Sequence, residues 1–161
     1  MTIAPIHRTI EVAVPPDRAF KLFSTRMHDW WPMGHSISDD PRVAVEMAPH
    51  VDGWWGQIGE KGTRTQWGKV LAWNPPGQLL LAWQINAEWQ FDPGLVTELE
   101  LTFTPIGMNT LVTLEHRDLE RFGESAEKIV AQLRNGWPGV VQAYADLANR
   151  RLECAPVCST E

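Results

Sequence analysis

The chain has 161 residues, with 14 basic and 20 acidic side chains and a formal net charge of −6. This length fits one domain with a core large enough to need no disulfide or metal staple, and the acidic balance lacks the basic footprint of a nucleic-acid binder. A chain 43% hydrophobic and 21% charged is neither collagen, coiled coil nor wholesale disorder, but its nine tryptophans, beside five phenylalanines and one tyrosine, need nine places for a large ring with one N–H donor.

The N-terminus, MTIAPIHRTIEV, has no basic region followed by an apolar run, and no stretch approaches the ~20 apolar residues of a bilayer span. A cytoplasmic protein without membrane insertion is expected. Ile6 to Val14 alternates as a strand and stops at Pro15 and Pro16. Pro16-Asp17 then opens a helix carrying Ala19, Phe20, Phe23 and Met27 on one stripe, predicted to run to Trp31 before Pro32. Val43, Val45 and Met47 alternate as a second strand. Asp52-Gly53 marks a hairpin into Trp54 to Ile58, and Gly59 to Thr63 is the next turn. Arg64 to Trp73 is a longer strand closed by Asn74-Pro75-Pro76-Gly77, and Gln78 to Ile85 follows. Asn86 to Gly94 is a loop with Trp89 and Phe91. Val96 to Pro105 alternates Leu99, Leu101 and Phe103 against Glu98, Glu100 and Thr102, and Thr110 to His116 returns after a turn. Ser125 to Arg134 reads as a short helix interrupted at Asn135-Gly136. Pro138 opens a new helix with Val140, Val141, Tyr144 and Leu147 on one face. Residues 153–161, with Cys154 and Cys158 in CAPVC, read as a tail with free thiols, since the spacing is not a zinc pattern. The order predicts an α+β domain over residues 1–152, an antiparallel sheet with one face covered by a long C-terminal helix.

Several segments in this order resemble the activator of heat-shock-protein-90 ATPase homologue-like family, within the birch-pollen-allergen and START-like (SRPBCC) superfamily. They are IEVAVPPDRAFKLFS, DWWPMGHSI, TQWGKVLAWNPPGQLLLAW, NTLVTLEHRDLE and GWPGVVQAYADL. The resemblance spans about Ile6 to Arg151. It implies the helix-grip fold, a curved antiparallel sheet wrapped around a C-terminal helix with an internal cavity. Related folds carry lipids, bind hormones, cyclise polyketides or act as co-chaperone modules, so the fold does not choose the function.

Nine indoles exceed what a close-packed core of about 15 Å radius of gyration readily holds. Trp31, Trp83 and Trp137 are therefore expected to line a cavity, with Trp73 and Tyr144 behind them and His116 as a polar anchor in its wall. Adjacent strand residues face opposite ways, so Trp54 and Trp55 should divide between core and rim. Glu98 and Glu100 are expected to face solvent, and His28, Asp29 and His35 to form a rim. No Gly-x-Ser-x-Gly, phosphate loop or dinucleotide fingerprint is present, so no catalytic set, metal or cofactor is expected. The primary expectation is binding of a small apolar or aromatic ligand between sheet and helix. A cyclase or dehydratase with His116 as acid or base is the alternative. A protein-interaction module comes third, with an exposed patch around Trp54, Trp55 and Trp89 serving a homodimer or a chaperone.

Overall fold

The structure is a computed structural model. It describes residues 3–32 and 35–158, with side chains described through residue 149. The elements are β1 (Ile6–Val12), α1 (Pro16–Phe23), β2 (Arg42–Met47), β3 (Trp54–Gly59), β4 (Arg64–Asn74), β5 (Gln78–Trp83), β6 (Thr97–Ile106), β7 (Asn109–Arg117) and α2 (Ala126–Cys158). Short 3-10 segments cover Met27–Asp29 and Leu119–Ser125. All seven strands form one antiparallel sheet in the order β1-β7-β6-β5-β4-β3-β2. The sheet curls, and α1 and α2 pack on its concave face. This is the α+β helix-grip arrangement. The reading of residues 153–161, with Cys154 and Cys158, falls on side chains outside the described residues.

Alternation drives the layering. On β6, Leu99, Leu101 and Phe103 are buried, while Glu98, Glu100 and Thr102 on the opposite face are half-exposed. The outer face of β6 and β7 is tied by Arg117, which donates to Glu98 (3.0 Å), Glu100 (2.8 Å) and Glu115 (3.4 Å). The Arg117 bond to Glu100, with one from Gln78 at 2.6 Å, holds the Glu100 carboxyl below its usual pKa. The cluster is partly solvated, so Arg117→Met is expected to cost only about 1 kcal/mol, and less in 1 M salt, when three carboxylates lose their shared cation. Urea melts of both proteins at low and high salt measure this; an unchanged difference at high salt would assign the loss to packing instead.

Two predicted helices are corrected. The first does not continue to Trp31 but ends at Phe23. The Ser24 hydroxyl donates to the Phe20 carbonyl at 2.7 Å, and Ser24 leaves helical geometry at φ −92°, ψ −88°. A 3-10 turn then lets both Trp30 and Trp31 reach the interior, where a straight helix would point them about 100° apart. The second correction is the break at Asn135-Gly136, which does not occur: α2 runs unbroken through Pro138. Proline there removes one hydrogen bond and costs about 3 kcal/mol. The buried stripe that continues across it, with Leu133, Trp137, Val140, Val141 and Tyr144, outweighs that cost through tertiary packing.

Two bulges distort β4. Against β3, Trp55 pairs Gly68 and Gly56 pairs Gln66, so Trp67 is the extra residue. Against β5, Val70 pairs Leu81 and Ala72 pairs Leu80, so Leu71 is extra. Each bulge flips the parity of the residues beyond it and sharpens the bend of the strand. At the first, Gly68 is required: a Cβ there would overlap the Ala82 carbonyl oxygen of β5.

Candidate functional site

The aromatic residues sort into two joined groups. One lies under α1: Phe20 meets Trp73 edge-on at 4.9 Å, and Phe23 contacts Trp30 and Tyr144 at 5.0 and 5.1 Å. The other lies between the sheet and the middle of α2, where Trp31, Trp67, Trp55, Trp83 and Trp137 form a chain of contacts at 5.0–6.4 Å. The Trp30–Trp31 contact at 5.7 Å joins them.

The second group opens on a cavity of about 420 Å³. Five of the nine tryptophans border it: Trp31, Trp67, Trp83, Trp89 and Trp137. Trp31 comes from the segment after the 3-10 turn, Trp67 from the β4 bulge, Trp83 from the end of β5 and Trp137 from α2. Trp89 stands at the mouth, 39% exposed, on a loop whose backbone takes the left-handed region at φ +59°. That conformation is unfavourable for a bulky residue. Asn86 holds it: its Oδ1 accepts from the backbone N–H groups of Glu88 and Gln90, both at 3.0 Å, and its carbonyl accepts from Trp89 N–H at 3.0 Å.

The indole N–H groups are largely spent inside the protein. Trp31 donates to the His35 carbonyl (3.2 Å), Trp67 to Gln57 Oε1 (3.0 Å), Trp83 to the Ile85 carbonyl (3.2 Å) and Trp137 to His116 Nδ1 (3.2 Å). These four rings are fixed in orientation and present faces and edges to the cavity rather than donors. Gln57, fully buried, anchors the floor by also accepting from Ile37 N–H (3.0 Å) and donating to Ser36 Oγ (2.8 Å).

Of the residues expected to form the site, Trp31, Trp83 and Trp137 border the cavity. His116, Trp73 and Tyr144 do not. Trp73 and Tyr144 belong to the group under α1, where the Tyr144 hydroxyl donates to the Ala19 carbonyl at 2.8 Å and burial pushes its pKa up. His116 is fully buried behind Trp83 and Trp137, with ring centroids 5.3 and 5.9 Å away. An indole N–H only donates, so Nδ1 of His116 is unprotonated. Its proton is then on Nε2, which donates to Thr97 Oγ1 at 2.8 Å, and Thr97 donates on to the Trp83 carbonyl at 3.3 Å. Burial pushes the His116 pKa down to about 3. Both nitrogens are committed, so this histidine holds Trp137 and Trp83 in place and has no free nitrogen to offer a ligand.

Bordering residues outside the expected set include His35, Ser36, Trp67, Trp89, Gln132 and Gly136. Of the rim trio, His35 borders the cavity and His28 and Asp29 do not. Partial burial and the Arg42 guanidinium hold the His35 imidazole below its usual pKa. The outward Trp54 lies under the Arg64 guanidinium at 4.1 Å, while Trp55 is fully buried. No group of three or more His, Cys, Asp and Glu among the described residues is arranged to hold a metal ion, and no described helix is long and apolar enough to cross a membrane.

The same architecture recurs in solved structures. An anthrahydroquino-γ-pyrone synthase, Txn09, is 32% identical over 90% of this chain and 97% of its own, with a TM-score of 0.65. The self-sacrificing resistance protein CalC from Micromonospora echinospora is 26% identical over 92% of this chain and 96% of its own, with a TM-score of 0.67. An Aha1 dimer from Colwellia psychrerythraea shares the fold at 14% identity, covering 91% of this chain and 97% of its own, with a TM-score of 0.63. No curated protein matches the chain. The profile of the Activator of Hsp90 ATPase homolog 1-like protein family matches residues 13–148, most of the domain, and the chain belongs to that family.

Proposed function

We propose that the cavity between the sheet and α2 binds a planar aromatic small molecule. The observation that carries this reading is the convergence of five tryptophans on one cavity of about 420 Å³, with four indole N–H groups turned to protein acceptors. Rings held this way suit stacking and edge contacts, each contributing about 0.5–1.5 kcal/mol beyond simple burial. The volume lies within the ~300–1,000 Å³ typical of sites for drug-sized ligands. The relative at 32% identity is a pyrone-forming synthase, which supports a ligand with fused rings and keeps a cyclase reading as the second one. In that reading Trp31, Trp83 and Trp137 hold the substrate, with His116, Trp73 and Tyr144 as the supporting layer. The acid–base group is then His35 rather than His116, because only His35 borders the cavity. A docking module for another protein or a second copy has less support: the described exposed large apolar residues other than Trp89 are scattered over β2 (Val43), the β2–β3 turn (Val51), the end of β6 (Ile106) and the β6–β7 turn (Met108).

The test uses Gly136, whose position on α2 borders the cavity and where an added Cβ meets no heavy atom within 4 Å. Gly136→Leu projects a branched side chain into that space. Helix propensity favours the change by about 0.5–1 kcal/mol, so the variant is expected to be at least as stable as the parent. Tryptophan fluorescence titrated with flavone should saturate for the parent and weaken about tenfold or more for Gly136→Leu, as the added side chain fills the space the ligand needs. A parent that does not saturate, or a variant that binds equally well, would sink the reading.

A further inference from the structure

We infer that the ligand of this cavity is a neutral planar aromatic carrying a phenolic hydroxyl, and that the His35 imidazole accepts the hydrogen bond from that hydroxyl. This rests on the aromatic-ligand reading above and names the ligand class within it. The described walls disfavour charged ligands: among the described residues no Asp, Glu, Lys or Arg borders the cavity, so an ionised group would meet no counterion from them. The four inner indoles have no donor left. Polar recognition therefore falls to the mouth, where His35, Ser36 and Gln132 stand with Trp89.

Among these, His35 is the acceptor held in place. Its N–H donates to the Pro32 carbonyl at 3.1 Å, its own carbonyl accepts from Trp31 Nε1 at 3.2 Å, and its ring sits edge-on to Trp31 at 6.2 Å. None of these contacts uses the ring nitrogens, which have no hydrogen-bond partner among the described residues. The Ser36 hydroxyl oxygen, by contrast, already accepts from Gln57. His35 and Gln132 are both exposed at this mouth, but the Gln132 side chain on α2 has no fixed partner among the described residues, whereas the His35 ring packs on Trp31. The charged group that faces His35 is Arg42 on β2, whose guanidinium donates to the carbonyls of Trp31 (3.2 Å) and Pro32 (3.0 Å). Its positive charge disfavours a second one on the imidazole. At pH 7.5 the ring is therefore neutral and keeps one nitrogen lone pair for a ligand O–H.

The probes are 6-hydroxyflavone and 6-methoxyflavone, alike in ring system and differing in one donor, titrated at pH 7.5 and pH 5. The parent protein is expected to prefer the hydroxy probe about tenfold at pH 7.5, the worth of one added hydrogen bond. Protonation removes the acceptor, so that preference should shrink as the pH is lowered, while the methoxy probe binds unchanged. His35→Phe should abolish the preference and leave the methoxy probe bound. His35→Gln, which restores an acceptor that does not titrate, should restore the preference without its pH dependence. Equal binding of both probes by the parent, or a preference that survives in His35→Phe, would overturn the role of His35 and leave the cavity reading standing. Binding of neither probe would overturn the cavity reading and this inference together.

Discussion

Acidification from pH 6.5 to pH 4 is expected to remove about 3 kcal/mol of folding stability through His116 alone. The sign follows from the buried chain of bonds. In the unfolded chain His116 titrates near 6.5; in the folded protein burial holds it at about 3. Below pH 6.5 the unfolded state therefore binds a proton that the folded state refuses. The stability is fully present above pH 6.5 and is lost as the pH falls toward the folded value, at up to about 1.4 kcal/mol per pH unit. The folded protein resists because burial penalises the charged ring, and the geometry adds to this: Trp137 already donates to Nδ1, so a protonated imidazole would set two donors against each other. His116→Gln keeps one acceptor for Trp137 and one donor for Thr97 but cannot titrate. Urea melts at half-unit steps between pH 7 and pH 5 should show a falling midpoint for the parent and a clearly shallower fall for the variant, in which only the depressed His35 still contributes. That window lies above the carboxylate range, where Glu100 adds its own loss below its usual pKa of 4.5. Parallel curves for the two proteins would show that His116 is not the group responsible.

The fold was largely legible because hairpin turns and alternation carry it. Leu99, Leu101 and Phe103 on β6, and Val112, Leu114 and His116 on β7, face inward as their parity requires. The site was less legible because its residues arise where those rules break. Trp67 enters the cavity wall through a bulge, and the second bulge at Leu71 brings Val70 and Trp73 to the interior despite opposite parity. Trp31 depends on Ser24 ending α1 about two turns early, through a side-chain bond that competes with the helix. Gly136 and Pro138 read locally as helix breakers, and only packing of α2 on the sheet, a long-range effect, overrides them. His116 points inward on its strand, but its isolation from the cavity depends on Trp137, twenty-one residues away in sequence. The clue available in the sequence for Trp89 was the Asn86 to Gly94 loop, whose Asn86-centred turn sets the ring at the mouth.

Trp137 is where stability and the proposed binding meet, so its truncation is expected to have the largest effect of any single substitution in the site. The ring is 2% exposed, touches Trp31 and Trp83 and donates to His116. Trp137→Ala removes a large buried side chain and leaves His116 Nδ1 without its donor, for an expected loss of about 3–5 kcal/mol. Trp137→Phe keeps an aromatic body and loses the donor and part of the volume, for about 1–2 kcal/mol. The two variants separate the contributions. Flavone affinity should fall about tenfold or more in Trp137→Ala, which opens the wall, and less in Trp137→Phe, which retains a stacking surface. The His116 pKa should rise in both, since removing the indole N–H frees Nδ1 to take a proton, and the acid-sensitive window should move with it. Urea melts and fluorescence titrations read the first two effects, and the histidine ring protons in NMR read the third. Unchanged flavone binding in a folded Trp137→Ala protein would remove α2 from the ligand site. An unshifted His116 resonance in Trp137→Phe would mean that burial alone, and not the indole donor, keeps that histidine neutral.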